Sequence, residues 1–454
     1  MTAPPVAGRR PPGPHGYPLV GVLPMARRSP LAYLCEAARR YGDVVSLPLG
    51  LHRTYLVSHP DLVRHILQDV HTYQKEPTAA RVRALFGGSL TTIDGDRWQR
   101  ERQLMLPAFH ATRLTAMAPV IVRAAATMLD HWESHAGSGR PLDVVNEMTG
   151  LARGIIIRAI FGEVPADRLR AVSHAMHEAL EQTHQRLWSA LPVSERLPTP
   201  GNRRFREALR TIDAFVRESV EEGRRRIDPA PSILCALLEA RDPQTGRGMA
   251  EVELRREVTA LLFAGHATTA CALAWTWVLL SIHPWAEERV QQEIRTVLAG
   301  RPPAAEDLPA LAYTRMVIDE VLRLYPPTWL TARMPLSDVD LDGYRIPAGT
   351  ILLLSPYVTH RLPAFWGDPE RFDPERFTIE RSAGRPAFAY FPFGRGPRSC
   401  IGTGLAVMEM MLIIAMVAQR YRLTLAPGSI VEPDPGLVLR PRPGVSMIPH
   451  RAGE

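Results

Sequence analysis

A helical pattern in the middle of the chain constrains its fold more than any other sequence feature. Between about residue 95 and residue 300, apolar side chains recur at helical spacing, and only short polar or proline-containing breaks interrupt them. The predicted helices span 96–108, 114–136, 144–161, 165–187, 203–226, 231–241, 250–282 and 284–299. We therefore expect an α-rich globule.

Strand patterns are confined to the two ends of the chain. The predicted strand regions are 44–58, 330–355 and 421–448, and they alternate with predicted helices at 30–41, 60–69, 313–324 and 403–420. Pro326 and Pro327 end the helix 313–324, because proline cannot continue a helix. The sequence thus predicts a mainly α fold with small β-sheets, in the α+β class.

The chain has no visible internal boundary. No linker, repeat or low-complexity block divides its 454 residues, although that length allows about three domains. We predict a single domain over 1–454, which begins with an irregular, proline-rich lead at 1–24.

The positive charge of the chain comes almost wholly from arginine. Lysine and arginine number 54 and the acidic residues 47, a formal charge of +7, and Lys75 is the single lysine. The arginines are scattered and many adjoin acidic residues, whereas nucleic-acid binding needs a clustered basic surface. We therefore expect no nucleic-acid partner, while a basic face suits an acidic protein partner.

The cysteines and the N-terminus indicate the compartment. Cys35, Cys235, Cys271 and Cys400 form no CxxC pair, which fits a reducing environment. The N-terminal residues lack an apolar run long enough for a signal peptide or an anchor. The long apolar run at 258–282 contains polar residues in mid-chain, so we predict a buried core helix there. These features predict a cytoplasmic protein without a membrane anchor.

One ten-residue segment carries the clearest chemical signal. Residues 393–402 read Phe-Gly-Arg-Gly-Pro-Arg-Ser-Cys-Ile-Gly, which places Cys400 between a glycine-rich turn and an apolar helix. The positive end of a helix dipole and unpaired backbone N–H groups favour the thiolate over the thiol. A single cysteine is usually a buried structural residue, but a thiolate held in a stiff loop is also a suitable ligand for iron.

The spacing of Phe393, Gly396, Arg398, Cys400 and Gly402 resembles the haem-binding signature of the cytochrome P450 family. This resemblance covers nearly the whole chain and implies the P450 fold, with haem b (iron protoporphyrin IX) bound through Cys400 as the metal ligand. It implies that Gly396 and Gly402 allow close approach of the backbone and that Phe393 covers the thiolate. The cofactor-binding residues that it implies are Trp98, Arg102, Ala264, Gly265, Thr268, Arg333, Pro392, Phe393, Arg398, Cys400, Gly402 and Ala406.

Two motifs on the N-terminal side of the cysteine extend the resemblance. Glu320-Val-Leu-Arg323 resembles the ExxR helix motif of the family, and the segment that contains Arg376 resembles its arginine-bearing meander. The ExxR spacing occurs elsewhere in this chain, so the position before Cys400 selects Glu320. The resemblance implies a buried, structural triad of Glu320, Arg323 and Arg376.

Arginines are the implied partners of the haem propionates. Trp98 and Arg102 are four residues apart, hence on one helix face, and resemble the WxxxR element that meets a propionate in the family. Arg333 and Arg398 match the other two usual partners.

The oxygen side of the haem is implied at Ala264-Gly-His-Ala-Thr-Thr269. By resemblance, Gly265 leaves room for dioxygen and Thr268 positions protons for O–O cleavage. Ala267 stands where the family usually has Asp or Glu, so the source of the protons is open. His266 is one position away and points about 100° from Ala267, which favours a structural histidine.

The resemblance implies a monooxygenase that inserts one atom of O2 into a lipophilic substrate. A terpenoid-like substrate is preferred to a fatty acid, as in secondary metabolism, and hydroxylation is the expected reaction. We expect no fused reductase module, and therefore a separate ferredoxin and ferredoxin reductase, and we expect a monomer. A peroxide-driven oxygenase or a non-oxidative haem isomerase, suggested by Ala267, and a non-enzymatic haem or lipid carrier are the alternatives.

The substrate pocket is expected to be mainly apolar. By resemblance it draws on the loop 81–92, on the region near 176–200 and on the residues Leu85, Phe86, Leu90, Phe263, Ala264, Thr328, Trp329, Leu330, Leu437 and Val438. The sequence shows no evident charged anchor in this pocket, and Arg81 or Arg83 is the candidate to meet a substrate carboxylate.

Overall fold

Helices form most of the described chain. The computed structural model describes residues 9–17, 20–49, 53–76, 85–187, 197, 199–225 and 232–452. The helices are α1 (Leu23–Arg28), α2 (Pro30–Tyr41), α3 (Pro60–Gln68), α4 (Gly95–Met105), α5 (Ala111–Thr115), α6 (Ala118–Ala136), α7 (Val144–Phe161), α8 (Ala166–Leu187), α9 (Pro200–Arg225), α10 (Ile233–Glu239), α11 (Glu251–Ile282), α12 (Pro284–Leu298), α13 (Ala312–Leu324), α14 (Pro356–Thr359), α15 (Pro363–Trp366), α16 (Ile379–Ser382) and α17 (Thr403–Arg420). Short 3-10 turns occur at Leu106–Phe109, Ala305–Ala310, Pro374–Phe377 and Ala387–Ala389.

The strands are short and lie mainly toward the ends of the chain. They are β1 (Val44–Ser46), β2 (Thr54–Val57), β3 (Tyr73–Gln74), β4 (Leu142–Asp143), β5 (Thr331–Pro335), β6 (Val339–Leu341), β7 (Tyr344–Ile346), β8 (Ile351–Leu354), β9 (Tyr421–Leu425), β10 (Glu432–Pro435), β11 (Leu439–Arg442) and β12 (Ser446–Arg451). The predicted mainly α fold with small sheets is confirmed.

The chain divides into two compact units. Met1–Thr78 and Glu320–Cys400 form unit 1, and Ala79–Asp319 and Ile401–Glu454 form unit 2. The expectation of a single domain with a proline-rich lead stays a prediction. Residues 1–8, 18 and 19 of that lead lie outside the described chain.

Unit 1 is built around a mixed sheet. Its strand order is β1-β2-β8-β5-β3, in which β2 and β8 run parallel and the other neighbours run antiparallel. Buried side chains of the sheet and of α3, among them Val57, Leu354 and Ile66, pack with Phe391, which comes shortly before Cys400. The segment that leads to the cysteine is therefore anchored in the core of this unit.

Unit 2 contains the long helices. The 32-residue helix α11 packs along α7, and α8 packs along α9. A three-stranded sheet β4-β12-β9 and the hairpin β10-β11 complete the unit. Because α11 is buried over most of its length, it is apolar all round, as expected for a core helix.

The largest boundary difference from the sequence prediction lies at 96–136. The first predicted helix ends at Met105 and continues as the 3-10 turn Leu106–Phe109, and the second is divided into α5 and α6. Pro107 and Pro119 explain both changes, because each takes a position in the first turn of a new helix, where its missing N–H is tolerated.

Two helices of the described chain are long and apolar enough to cross a membrane. They are α11 and α17, and 67% and 72% of their most apolar windows are buried inside the protein. The pair Gly95–Phe109 and Ala111–Ala136 also passes that test if its 49° bend is ignored. Packing within the protein accounts for the apolar composition of α11 and α17.

Candidate functional site

Cys400 is presented by a tight glycine turn. The backbone N–H of Cys400 donates to the Phe393 carbonyl at 2.8 Å, and the Ser399 N–H donates to the Gly396 carbonyl at 3.0 Å. Gly396 has φ +77°, and a Cβ there would lie 2.7 Å from the carbonyl oxygen of Leu67, so only glycine fits. The cysteine is exposed, whereas Cys235 and Cys271 are buried.

Two of the other cysteines are unsuited to bind a metal ion. Burial raises the pKa of Cys271 to about 12 and that of Cys35 to about 11. Both are therefore thiols at neutral pH and poor metal ligands. Cys400 is the cysteine whose position allows it to coordinate an ion or react.

The structure brings Glu320, Arg323 and Arg376 together, all of them buried. Arg323 makes a bidentate contact, with Nε donating to Oε2 of Glu320 at 2.7 Å and Nη2 donating to Oε1 at 2.9 Å. Arg376 Nε lies 3.5 Å from Glu320 Oε1, and the Asp373 N–H donates to the same oxygen at 2.9 Å. Burial raises the pKa of Glu320, while these contacts from both arginines act in the opposite direction.

The arginines also hold the chain that follows. Arg323 Nη1 donates to the carbonyls of His360 at 2.9 Å and Pro369 at 2.7 Å. Arg376 donates to the carbonyls of Trp366 and Asp368. Hydrogen bonds from the two arginines, which Glu320 holds in place, therefore fix the irregular segment between α14 and the cysteine turn.

His360 belongs to the same assembly, and sequence reasoning missed it. Its side chain is fully buried; Nδ1 donates to the Arg323 carbonyl at 3.3 Å and Nε2 accepts from the Phe391 N–H at 2.9 Å. Burial lowers the pKa of His360 well below its ordinary value, and Arg323 adds to this effect. A neutral histidine thus connects α13 to the start of the cysteine turn. No local pattern in the sequence signals this role.

The implied propionate partners occupy partly or fully buried positions. Arg102 lies over the ring of Trp98, with 5.9 Å between the guanidinium carbon and the ring centroid, on one face of α4 as predicted. Arg333 is 5% exposed, and its Nη1 donates to the Ala332 carbonyl at 2.8 Å and to Thr331 Oγ1 at 3.2 Å. Arg398 is partly buried in the cysteine turn. Their role toward propionates stays a prediction, as does that of Pro392, Gly402 and Ala406.

The middle of α11 offers an accessible strip of small residues. Ala264 is exposed and Ala267 and Thr268 are partly exposed, although Phe263 and Thr269 beside them are buried. The hydroxyl of Thr268 donates to the Ala264 carbonyl at 3.0 Å. The strip therefore combines an apolar surface with one hydroxyl group, and its catalytic role stays a prediction.

Gly265 has a packing role that the sequence did not reveal. A Cβ at this position would lie 2.6 Å from Cδ1 and 2.7 Å from Cγ1 of Ile156 on α7. The glycine therefore permits close contact of α11 with α7. The expectation that it leaves room for dioxygen stays a prediction.

His266 is a structural histidine in its surroundings. It is fully buried, its Nδ1 donates to the Leu262 carbonyl at 2.8 Å, and burial lowers its pKa to about 4. Arg153 and His177 act in the same direction. A neutral imidazole at pH 7 supplies no acid in place of the residue that Ala267 replaces.

Two of the implied pocket residues of unit 2 contact each other. Phe86 and Phe263 form an edge-to-face ring pair with centroids 6.3 Å apart, and Leu85 is buried beside Phe86 in the chain. Leu90 is partly buried, and Leu437 and Val438 lie in the turn between β10 and β11. Residues 81–84 and most of 188–198, including Arg81 and Arg83, lie outside the described chain.

The implied pocket residues of unit 1 follow α13. Thr328 is exposed and Leu330 is partly buried, whereas Trp329 is 9% exposed. The Trp329 carbonyl accepts from Ser355 Oγ at 2.7 Å, which fixes the start of β5. Their contact with a substrate stays a prediction.

A cavity elsewhere in unit 2 is distinct from these residues. It measures about 550 Å³ and is lined by residues such as Gly223, Cys235, Leu238, Met249 and Leu254. None of the implied pocket residues lines it. It lies where α9, α10 and the start of α11 meet, and its lining also includes Arg224, Glu239 and Arg241.

Comparison with known proteins gives one consistent result. The family model described as Cytochrome P450 matches residues 11–448. Cyclooctat-9-en-7-ol 5-monooxygenase of Streptomyces melanosporofaciens is 37% identical over 420 residues, which cover 92% of this chain and 90% of the relative. Pentalenene oxygenase of Streptomyces avermitilis is 34% identical over 427 residues, 92% of each chain. The crystal structure of the cytochrome P450DA heme domain is similar with a TM-score of 0.89, at 26% identity and 98% coverage of both chains.

Proposed function

Because the chain belongs to the cytochrome P450 family and is a P450 monooxygenase, we propose that it oxidises a terpenoid-like hydrocarbon with a haem b bound through Cys400. The reaction consumes the substrate, O2, two electrons and two protons; one oxygen atom enters a C–H or C=C bond and the other leaves as water. The exposed Cys400, held in its turn by the bond to the Phe393 carbonyl, carries the proposal.

The residues around Cys400 fit a haem. Within the described residues, no group of three His, Cys, Asp or Glu side chains is arranged to hold a metal ion. One accessible cysteine therefore suits an iron whose other ligands come from a macrocycle. In the proposal Cys400 supplies the thiolate, Phe393 excludes water from it, and Arg102, Arg333 and Arg398 neutralise the propionates.

The haem, when bound, supplies the activation of O2, and this chain supplies positioning and protons. Thr268 holds its hydroxyl proton on the Ala264 carbonyl at 3.0 Å, from where a rotation about χ1 presents the O–H outward. Ala267 carries no proton, and His266 is neutral and buried. We therefore expect protons to reach Thr268 through water or a substrate hydroxyl.

Three bacterial relatives support the choice of substrate class. Their names refer to cyclooctat-9-en-7-ol, cyclooctatin and pentalenene. The edge-to-face pair of Phe86 and Phe263 adds an apolar surface of the kind that hydrocarbon rings contact. A fatty acid remains the second candidate, with hydroxylation as the reaction in either case.

The proposal also includes the electron donor, the oligomeric state and the compartment of the protein. A separate ferredoxin and its reductase supply the electrons, and the net charge of +7 suits an acidic ferredoxin. The protein works as a monomer in the cytoplasm. Light scattering of the purified holoenzyme tests the monomer.

The first experiment tests the iron ligand. Reduced wild-type holoenzyme treated with CO is expected to show a Soret band at about 450 nm, as for thiolate-ligated haem. Cys400→Ser is expected to lose this band, whereas Cys235→Ser, which removes a buried cysteine, is expected to keep it. A band in Cys400→Ser equal to that of the wild type excludes Cys400 as the ligand.

The second experiment separates the proposal from the peroxide-driven alternative, which Ala267 favours. Product formation is compared with NAD(P)H, ferredoxin and reductase, and with hydrogen peroxide alone. Turnover with the reductase system supports the monooxygenase, whereas product that forms only with peroxide supports the alternative. A screen of spectral shifts with terpenes, fatty acids, steroids and macrolides then identifies the substrate class. The monooxygenase relatives disfavour a non-enzymatic carrier.

A further inference from the structure

Two glutamates from different helices meet inside unit 2. Glu101 on α4 and Glu257 on α11 are 0% and 1% exposed. Arg97 Nε donates to Oε1 of Glu101 at 2.6 Å. Oε2 of Glu101 is buried, and no N–H or O–H group of the described residues donates to it. Glu257 is its hydrogen-bonding neighbour and can donate to it only when the Glu257 carboxyl group carries a proton. The two carboxyl groups are therefore satisfied together only with one proton between them.

The pair holds a neighbouring stretch of chain, residues 85–93. The Leu90 N–H donates to Oε1 of Glu257 at 2.6 Å, and Arg97 Nη2 donates to the Gly88 carbonyl at 2.7 Å. Within the stretch, Thr92 Oγ1 donates to the Gly87 carbonyl at 2.6 Å. Glu257 and the Arg97–Glu101 pair thus hold this segment by hydrogen bonds at two backbone positions, Leu90 and Gly88.

The same segment carries implied pocket residues. Phe86 makes its ring contact with Phe263, which lies on α11 directly before the accessible Ala264. A shift of residues 85–93 therefore moves Phe86 relative to the accessible strip of α11.

We propose that Glu101 and Glu257 share one proton and so position residues 85–93, which makes substrate binding sensitive to alkaline pH. Both glutamates are positioning residues. The inference rests on the proposed function only in treating residues 85–93 as part of the substrate pocket.

The burial and the charges around the two glutamates explain why Glu257 keeps its proton. Burial raises the pKa of Glu257 to about 9, and Glu101 adds to this effect, while the Leu90 N–H and Arg97 oppose it. Arg97 compensates the charge of Glu101. Arg100 on α4 is engaged by Glu253 at 3.2 Å and by Asp242 at 3.7 Å. Arg256 on α11 lies beside Gly87 and Gly88.

The sign of the pH effect follows from that charge balance. Below about pH 9 Glu257 keeps its proton, while Arg97 is paired with Glu101. Above that pH Glu257 also becomes charged while Arg97 is already paired with Glu101. An unmatched buried charge is strongly unfavourable unless water enters. Water reaches the pair when residues 85–93 loosen, so the segment is expected to open as the pH rises.

Glu257→Gln tests this idea because glutamine imitates the protonated acid. Its Oε1 accepts from the Leu90 N–H and its amide donates to Glu101, at every pH. Glu257→Leu removes both contacts. Glu409→Gln is the control, because Glu409 is another buried glutamate of unit 2 but lies on α17 rather than on α4 or α11.

The measurement is amide hydrogen exchange of the peptide 85–93 in the holoenzyme at pH 7 and pH 10, corrected for the intrinsic rate. We expect wild type and Glu409→Gln to lose about tenfold in protection at pH 10, the equivalent of one hydrogen bond to a charged group. Glu257→Gln is expected to stay protected at both pH values and Glu257→Leu to be unprotected at both. Wild-type protection that is equal at the two pH values, or Glu257→Leu protection equal to wild type, overturns the proposal.

A second readout connects the segment to binding. The spectral dissociation constant of a bound terpene is expected to rise about tenfold from pH 7 to pH 10 in the wild type and to stay constant in Glu257→Gln. The reduced CO band at about 450 nm is recorded for each sample. Loss of that band indicates failure of the haem assignment, whereas a normal band with unchanged exchange indicates failure of the present inference alone.

Discussion

Glu320 in unit 1 and Glu257 in unit 2 are almost equally buried glutamates, but the surroundings stabilise the two buried carboxyl groups in different ways. Glu320 is 0% exposed and is matched by Arg323 and Arg376, whereas Glu257 is 1% exposed and faces a second carboxyl group. Burial raises the pKa of both. The arginines oppose this effect at Glu320, and Glu101 reinforces it at Glu257. A buried carboxyl is thus stabilised either by cations or by a retained proton.

The largest expected effect comes from removing a cation at Glu320. Arg323→Met is expected to lower the free energy of unfolding by about 3–5 kcal/mol, because it leaves a buried charge without its bidentate partner. Urea unfolding of the holoenzyme measures this loss. The matched control is Arg315→Met on the same helix, whose pair with Asp319 at 2.9 Å is solvent-exposed on the arginine side. There the expected loss is below about 1 kcal/mol, and equal losses would contradict the comparison.

The same substitution at the two glutamates should act in opposite directions. Glu320→Gln is expected to lower the free energy of unfolding by about 1.5–3 kcal/mol, because an amide N–H2 then faces a guanidinium. Glu257→Gln is expected to raise it at pH 7, because the wild-type chain must release a proton from Glu257 when it unfolds. Urea titrations at pH 7 compare both variants with the wild type. A loss in both variants would mean that Glu257 is ionised.

Glu409 is a buried glutamate that has no charged partner among the described residues, which makes it a third case for the comparison. It is 1% exposed, its Oε1 has no hydrogen-bond partner among the described residues, and burial raises its pKa well above the ordinary 4.5. The folded chain keeps this proton, so wild-type stability falls as the pH rises above the unfolded value. The advantage of Glu409→Gln should therefore grow by about 1.4 kcal/mol per pH unit between pH 5 and pH 7. An advantage that does not depend on pH would show that Glu409 is charged when folded.

The smallest expected effect concerns His360, which connects Arg323 to the cysteine turn through hydrogen bonds. His360→Leu removes the acceptor of the Phe391 N–H, a bond worth about 1 kcal/mol. We expect a reduced fraction of the CO band at about 450 nm, because the turn that presents Cys400 becomes less rigid. His360→Gln restores an acceptor at similar reach and is expected to recover most of the band. Equal fractions in both variants would reduce His360 to a packing residue.

Helix positions were predictable because their signals are local. The helix 144–161 was placed at both ends, where Asp143 caps the first turn at 3.1 Å from the Val145 N–H and Gly162 ends it with φ +77°. The pairing of Glu320 with Arg323 was predictable for the same reason, since three residues separate neighbours on one helix face. The division at Pro119 was missed, because apolar spacing continues across it.

The non-local members of the site were not predictable from spacing. His360 lies 37 residues after Arg323, and nothing nearby distinguishes it from other histidines. Glu101 and Glu257 each look like a polar position on a helix until the folded chain brings side chains of α4 and α11 into contact. Gly265 matched a functional motif, but its contact with Ile156 appears only when α7 is in place.

The sequence by itself determined the helical framework, the glycine turn at Cys400 and membership in the family, because periodicity, turn chemistry and motif spacing act over a few residues at a time. The tertiary structure decided which buried carboxyl groups are charged. The protonation of Glu257 and the neutrality of His360 and His266 depend on burial and on partners far away in the chain. Desolvation is a property of the packed protein, so no local pattern encodes it.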